Sequence, residues 1–482
     1  MSVNRFYQIK VALVCFCILA GSLCLAAIND RDVFNAYRNS GDLMTVKPSG
    51  LRGFVLIWVG QVFSMVGSQM TNFAMGIWAW ELTGRATPLA LVGFFSFTPL
   101  IIFSPIAGVF VDRWNRKWVM ALSDIGAGLV TLTIFILMLT GHLQIWHLYI
   151  TGFVGGIFGA FQWPAYSAAI TLLVPKQHYA RTSGMISMAG SGVGIIAPIL
   201  AGFLIPIIGI TGIIAIDLVT LVIALALLMV VFIPEPERKP RDRTSGAFLR
   251  ELKYGFRYVI DRRSLLYLQM VFFFGNLFFT VAYTLLNPMV LASTQGDTAA
   301  LGSVQSAGAV GGLVGGLILT AWGGPKKKIH GVLISWTMVG VLGLGLMGLG
   351  RALPLWLIAH FLMMLFNPLL NGSNQAIWQA KVAPEVQGRV FSVRRLVAQI
   401  TAPISMAVAG PLADRVFEPA MTSPDHWLSR LLGLVFGNSP GSGMSVLIFI
   451  SGILVVGVGL GAYRSRQIRL VEELIPDHDE ID

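Results

Sequence analysis

The chain has 482 residues, 55% of them hydrophobic and only 12% charged, whereas ordinary soluble domains carry about 25% charged residues. That composition excludes a water-soluble globular fold. The net charge of +11 does not indicate nucleic acid either, because the basic residues fall in short segments between apolar runs rather than on one patch.

A bilayer core needs about 20 apolar residues per helix, and continuous apolar runs rather than alternating ones select helices over a barrel. Residues 1–50 form an N-terminal extension. Val11 to Ile28 is apolar behind Arg5 and Lys10, so it reads as a signal-like segment or an extra helix. Either reading reverses the first main helix against the charge count below. Met44 opens MTVKPSGLRGF, a basic lead of the kind that precedes an inside-starting helix, and Met44 is therefore the expected natural start. The three cysteines, Cys15, Cys17 and Cys24, all lie in this extension without metal-ligand spacing, so neither a disulfide framework, a metal site nor a cofactor is expected.

Six apolar runs follow within 51–233, at about 54–82, 89–111, 118–140, 146–174, 182–208 and 211–233. The linker 234–263 is polar. In it Phe248, Leu252, Phe256, Val259 and Ile260 share one helical face with Arg250, Lys253, Arg257 and Arg262 elsewhere, which predicts a helix lying on the inner membrane surface. Six more runs occupy 264–463, at about 264–292, 299–322, 329–350, 353–378, 390–412 and 443–463. The tail, 464–482, ends in ELIPDHDEID, an acidic stretch that reads as solvated and disordered.

With both ends of this twelve-span body in the cytoplasm, 26 Lys and Arg fall inside and 4 outside, which fixes the expected orientation. Sliding the halves by about 209 residues superposes Val174-Pro175…Arg181 on Ala383-Pro384…Arg389 and Lys117 on Lys326. Duplicated six-helix halves are the mark of carriers that rock two bundles about a midplane site.

Between the second and third runs stands GVFVDRWNRKWVM. Its pattern, Gly108-x-x-x-Asp112-Arg113-x-x-Arg116-Lys117, resembles the signature loop of the major facilitator superfamily. In the fifth run Gly190, Gly194, Pro198 and Gly202 resemble the drug–proton antiporter motif, with Ala197 and Ala201 where glycines are usual. Trp163-Pro164-Ala165 and Gly410-Pro-Leu-Ala-Asp414-Arg415 are similar to the macrolide-efflux and enterobactin-exporter branch. The resemblance implies an all-α membrane fold of twelve helices in two pseudo-symmetric six-helix bundles. It also implies a latch in which Asp112 and Arg113 hold the bundles together against Arg394 and Arg395 at the start of the eleventh helix. Arg116 and Lys117 would face the anionic inner leaflet.

Ionisable groups inside the spans are few: Asp124, Asp217, His360 and, near the outer end of the first, Glu81. An intramembrane carboxylate is costly and so a candidate proton carrier; Asp217 ranks first, then Glu81, while Asp124 is placed to pair with Arg181. His360 reads as a hydrogen-bonded histidine. Uncharged polar and aromatic groups recur on the first and fourth helix of each half: Gln61, Gln69, Asn72, Gln162, Trp163, Asn276, Asn367, Asn371, Asn374 and Gln375. A few donors among apolar side chains suit a pocket for a large amphiphile, and interhelical hydrogen bonding is the competing explanation. The glycine-dense run Gly308 to Gly324 suits close helix contact, fixed or sliding.

The expected protein is thus a monomeric secondary carrier in a bacterial inner membrane, in contact with lipids, exchanging protons for an amphiphilic drug or siderophore. Export rests on the resemblance alone. A substrate-sensing receptor on a transporter scaffold and an importer or uniporter are the alternatives. Walker A and HExxH patterns are missing and no Gly-x-Ser-x-Gly stands with catalytic partners, so an enzyme is not expected.

Overall fold

The computed structural model describes residues 50–175, 178–233 and 247–477. The expectations for the N-terminal extension and its Met44 start lie outside the described residues, as does most of the linker's basic stretch. Every element among the described residues is helical.

The first half contains α1 (Gly50–Thr83), α2 (Ala86–Arg113), α3 (Arg116–Leu139), α4 (Ile145–Leu173) and α5 (Tyr179–Val230). The linker contributes α6 (Ala247–Asp261). The second half contains α7 (Arg263–Ser293), α8 (Thr298–Trp322), then α9 (Lys328–Leu349), α10 (Leu353–Lys381) and α11 (Val386–Thr422), followed by α12 (Trp427–Phe436) and α13 (Ser442–Arg464).

Among the described residues ten helices are long and apolar enough to cross a bilayer, two fewer than the runs read from the sequence. The difference falls on α5 and α4. Arg181–Val230 is a single stretch of 50 residues, which as a straight helix would run about 75 Å, more than twice the ~30 Å of hydrocarbon. It is broken at Gly209, whose φ of 68° and ψ of 174° are non-helical and available to glycine without a side-chain clash. Two of the expected runs lie on either side of that break. The 29-residue α4 is continuous and long enough to span, but Gly152, Gly155, Gly156, Gly159, Gln162 and Pro164 dilute its apolar side chains.

One core joins Phe54, Trp58, Met120, Tyr166 and Leu228 within the first half. A larger one fills the second half and continues into α1 and α5 through Met70, Phe73, Ile77, Val193 and Ala201. The helix connections alternate between two ends, named here the Arg85 end and the Arg116 end.

The structure bears on three expectations at the Arg116 end. First, α6 does more than lie flat on a membrane surface: Val259 is buried in the larger core, Gly255 sits against the Arg389 carbonyl and Val393 of α11, and Tyr258 donates to the Lys381 carbonyl at 3.4 Å.

Second, the acidic tail is docked as far as Asp477. Glu472 accepts from the backbone N–H groups of Lys328 and Ile329 at 3.1 and 2.9 Å, capping α9 where its dipole favours negative charge. Lys327 pairs with Glu473 at 2.7 Å, and the buried Lys381 pairs with Asp477 at 2.6 Å. The Lys327 partner holds the Glu473 carboxyl below its ordinary range, and Glu473 raises the Lys327 ammonium in turn. Composition marked this tail as solvated because the lysines it meets are more than 90 residues away.

Third, Arg116 and Lys117 turn toward protein backbone. Arg116 Nη1 donates to the Ala168 carbonyl at 3.3 Å, and Lys117 Nζ to the carbonyls of Met229 and Val231 at 2.8 and 2.7 Å. Lys117 thus serves the C-terminal end of α5, where carbonyls lack intrahelical donors and the dipole is negative, and Arg116 ties α3 to the last two turns of α4.

Candidate substrate pathway

In the first half, α1 carries a polar face. Met65, Ser68, Gln69 and Asn72 are exposed at i, i+3, i+4 and i+7 spacing, one helical stripe. Exposed hydroxyls and amides on a membrane helix belong to a wet cavity rather than lipid. Asn72 donates to Gln69 Oε1 at 3.3 Å.

Behind that stripe lie two buried acids. Asp124, 2% exposed, accepts from Gln61 Nε2 at 3.2 Å and from Gln162 Nε2, and Gln162 also reaches Gln61 Oε1 at 3.3 Å. The expected Arg181 partner is exposed instead, and among the described residues no ion pair joins it to Asp124. Asp217, 3% exposed, accepts from Ser68 Oγ at 3.0 Å, where Gly67 allows α5 to approach closely. Glu81 is exposed near the end of α1, apart from both acids. Trp163 is exposed, with its ring 6.2 Å from Tyr166. His360 is buried, its Nδ1 2.7 Å from the Val304 carbonyl.

In the second half a cavity of about 320 Å³ is bounded by α7, α10 and α11. It brings together four of the predicted amides, Asn276, Asn371, Asn374 and Gln375, with both arginines expected in the latch, Arg394 and Arg395. Arg394 Nη2 donates to Gln375 Oε1 at 2.6 Å, and its guanidinium carbon lies 5.1 Å from the Phe391 ring centre and 5.6 Å from that of Trp378. Gln269, Phe272, Phe391, Ala398 and Gln399 also line the cavity and were missed; their only sequence signal was helical phase with the residues that were found. Asn367 lies one turn away, accepting from Asn371 Nδ2 at 2.9 Å. The side chains of Asp112 and Arg113 lie outside the described residues, so their part of the latch has no geometry here.

The halves meet along two seams. In one, Ala197 and Ala201 are fully buried, Ser306 donates to the Ile195 carbonyl at 2.9 Å and Thr298 to the Gly202 carbonyl at 3.1 Å. Gly302 has no room for a side chain against the Pro198 carbonyl, and Gly194 lies beside Ala309. Gly190 and Gly108 face open space. The α5–α8 seam therefore runs from mid-helix toward the Arg85 end.

The second seam joins α2 to the C-terminal part of α11. Asp414 accepts from the backbone N–H groups of Ala86 and Thr87 at 2.9 and 2.7 Å and from the Thr87 hydroxyl, so an acid of one half caps the first helix turn of the other. Gly410 packs on Thr87 and Ala90. One turn later Glu418 accepts from Gly443 at 2.6 Å and from Gly441, capping α13. Both seams close the Arg85 end.

Residues 57–406 match the sequence profile of the Major Facilitator Superfamily. The chain belongs to that superfamily. As a member it is a non-enzymatic, multi-pass membrane transporter with a small-molecule substrate. It is 29% identical over 385 residues to macrolide efflux protein A of Streptococcus pyogenes, covering 78% of this chain and 91% of that protein. The Enterococcus faecalis protein of the same name is 30% identical over 321 residues, covering 64% and 96%. Among solved structures, an inward-facing bacterial homolog of the human lysosomal transporter Spinster aligns with a TM-score of 0.57 at 15% identity, covering 84% of this chain and 96% of that one. The nucleoside transporter NupG gives 0.58 at 10%, covering 88% and 100%.

Proposed function

We propose that this transporter exports an amphiphilic small molecule, a macrolide-type drug or a siderophore, from a bacterial cytoplasm in exchange for protons. The likeness to two macrolide efflux proteins across most of their length supports this reading of cargo and direction. Twelve crossings, six in each half (51–233 and 264–463), then place the Arg116 end in the cytoplasm, consistent with the excess of basic residues there. The Arg85 end is the outer one, and the protein works as a monomer in the inner membrane.

The observation that carries the mechanism is the pair of seams gripping one end while a polar cavity lies nearer the other. Rocking the halves would break the Asp414 cap and part α5 from α8, opening the outer face as the inner closes. Asp112 and Arg113 would then meet the start of α11 and clasp that side.

Asp217 is the better proton carrier of the two buried acids, because its partner Ser68 stands on the exposed stripe and links it to water through one hydroxyl. Asp124 is held by two amides, an arrangement that orders α1, α3 and α4 against one another.

The test is flux in proteoliposomes. Radiolabelled erythromycin accumulates in vesicles with an acidic lumen, saturates, and is released when the gradient is dissipated. Accumulation indifferent to the gradient would remove proton exchange, and accumulation equal to that of protein-free vesicles would remove macrolides from the cargo.

A further inference from the structure

The cavity between α7, α10 and α11 lies roughly two to four turns from the Arg116 end, counted along its helices. It places a cation where charge is expensive. Arg394 makes one side-chain hydrogen bond, to the neutral Gln375, and its contacts with Phe391 and Trp378 are with ring faces. Its Nη1 is buried with no hydrogen-bond partner. Arg395 stands beside it on the same wall, and among the described residues no carboxylate lines the cavity. Among the described residues neither arginine enters an ion pair.

A second orphan belongs to a residue lining the same cavity. Asn374 is 5% exposed, and its Oδ1 is buried without a donor. Buried polar atoms in folded proteins are ordinarily satisfied, and leaving one unmet is costly. A guanidinium donor without an acceptor and an amide acceptor without a donor, on two helices that line one cavity, describe the complement that is missing.

We propose that this cavity is a binding subsite for the anionic head of an amphiphile. A carboxylate or phosphate oxygen accepts from Arg394 Nη1, a hydroxyl or N–H of the same molecule donates to Asn374 Oδ1, and the apolar body rests on Phe272 and Phe391. The planar guanidinium suits an oxyanion better than an ammonium would. Two adjacent cations with no counter-charge among the described residues repel amines, so the subsite selects acids over bases. Within the carrier reading the inference favours an acidic cargo over a macrolide bearing a basic amine, and it rests on that reading only for the site's place in a transport cycle.

The test is calorimetric titration of the full chain in phosphatidylcholine nanodiscs with three probes of one shape: phenylbutyrate, phenylbutylamine and phenylbutanol, each corrected with empty nanodiscs. The acid is expected to bind at least about tenfold more tightly than the amine, the margin of a charge-assisted hydrogen bond. Arg394→Gln abolishes that preference and Arg394→Lys restores part of it. Equal binding of the three probes by the native protein, or tighter binding of the amine, overturns the proposal without reference to any variant. So does a preference that survives in a folded Arg394→Gln, Arg395→Gln double variant.

Repeating the titration with phosphatidylglycerol in the disc separates two sources of the same chemistry. Weakened phenylbutyrate binding assigns the subsite to an anionic lipid head group, and unchanged binding assigns it to a diffusible solute. Gradient-driven flux without an acid preference would overturn this inference alone, whereas an acid preference without flux would overturn the carrier reading alone.

Discussion

The cap that Asp414 places on α2 yields a prediction with a magnitude. Its carboxylate accepts two backbone N–H groups, at 2.9 and 2.7 Å, and the Thr87 hydroxyl, all from the other half of the protein, so the set exists only while the Arg85 end is closed. Asp414→Asn keeps the shape but removes the charge and turns one oxygen into a donor facing donors. Hydrogen bonds to charged groups contribute about 1.5–3 kcal/mol each, and a charge at a helix N-terminus about 0.3–1 kcal/mol. An amide retains part of the set, so we take a net loss of about 2 kcal/mol, which shifts the open-to-closed ratio at this end about 30-fold. Spin labels at Arg85→Cys and Arg415→Cys, both exposed, with the native cysteines replaced, report that ratio by pulsed distance measurement. Asp414→Asn should convert a narrow short-distance population into a predominantly long one. An unchanged distribution would refute the claim that this acid holds the halves together.

Other outcomes follow from the same geometry. Gly302→Val, which drives a side chain into the Pro198 carbonyl, should open the same end in the labelled protein while leaving its elution volume unchanged. Asp217→Asn should abolish dependence of flux on the pH gradient but leave counterflow of unlabelled against labelled substrate; Asp124→Asn should lower the melting temperature. Because Lys327 holds the Glu473 carboxyl below its ordinary range, the folded state binds fewer protons than the unfolded one. That contribution to tail docking is present above the ordinary glutamate range, near 4.3, and is lost as pH falls through the folded value. Hydrogen exchange of the segment 466–477 should therefore quicken on acidification, beyond the intrinsic pH effect, and a Lys327→Met variant should lose that excess. Lys117→Met, which strips the donor from the Met229 and Val231 carbonyls, should lower thermal stability by about 1 kcal/mol.

The spans were legible because bilayer thickness imposes a length on every apolar run and the basic residues collect at one set of connections. The break at Gly209 was marked by the gap between two runs. Asn276, Asn371, Asn374 and Gln375 could be grouped because amides are rare enough in such helices to stand out. What the sequence could not convey was where long side chains turn. Lys117 and Arg116 satisfy the positive-inside rule wherever they point, so the capping of α5 by Lys117 and the contact of Arg116 with α4 left no trace in composition. Arg394 was read as a latch cation from its place in the resemblance, yet its guanidinium turns onto Gln375 within the cavity. Asp414 was noticed only as part of a motif, and the docking of Glu472, Glu473 and Asp477 depends on lysines far along the chain. Each is a contact between distant elements, set by packing rather than by local pattern.

Alternating access about the cavity is the central claim, and sided labelling of one position tests it most directly. Asn371 is exposed in the cavity; as the only cysteine, Asn371→Cys should react with an impermeant maleimide from the cytoplasmic side of oriented vesicles and be protected from the other. In an Asp414→Asn background the protection should reverse. Reaction from both sides at once, or from the outer side in the parent protein, would contradict the account.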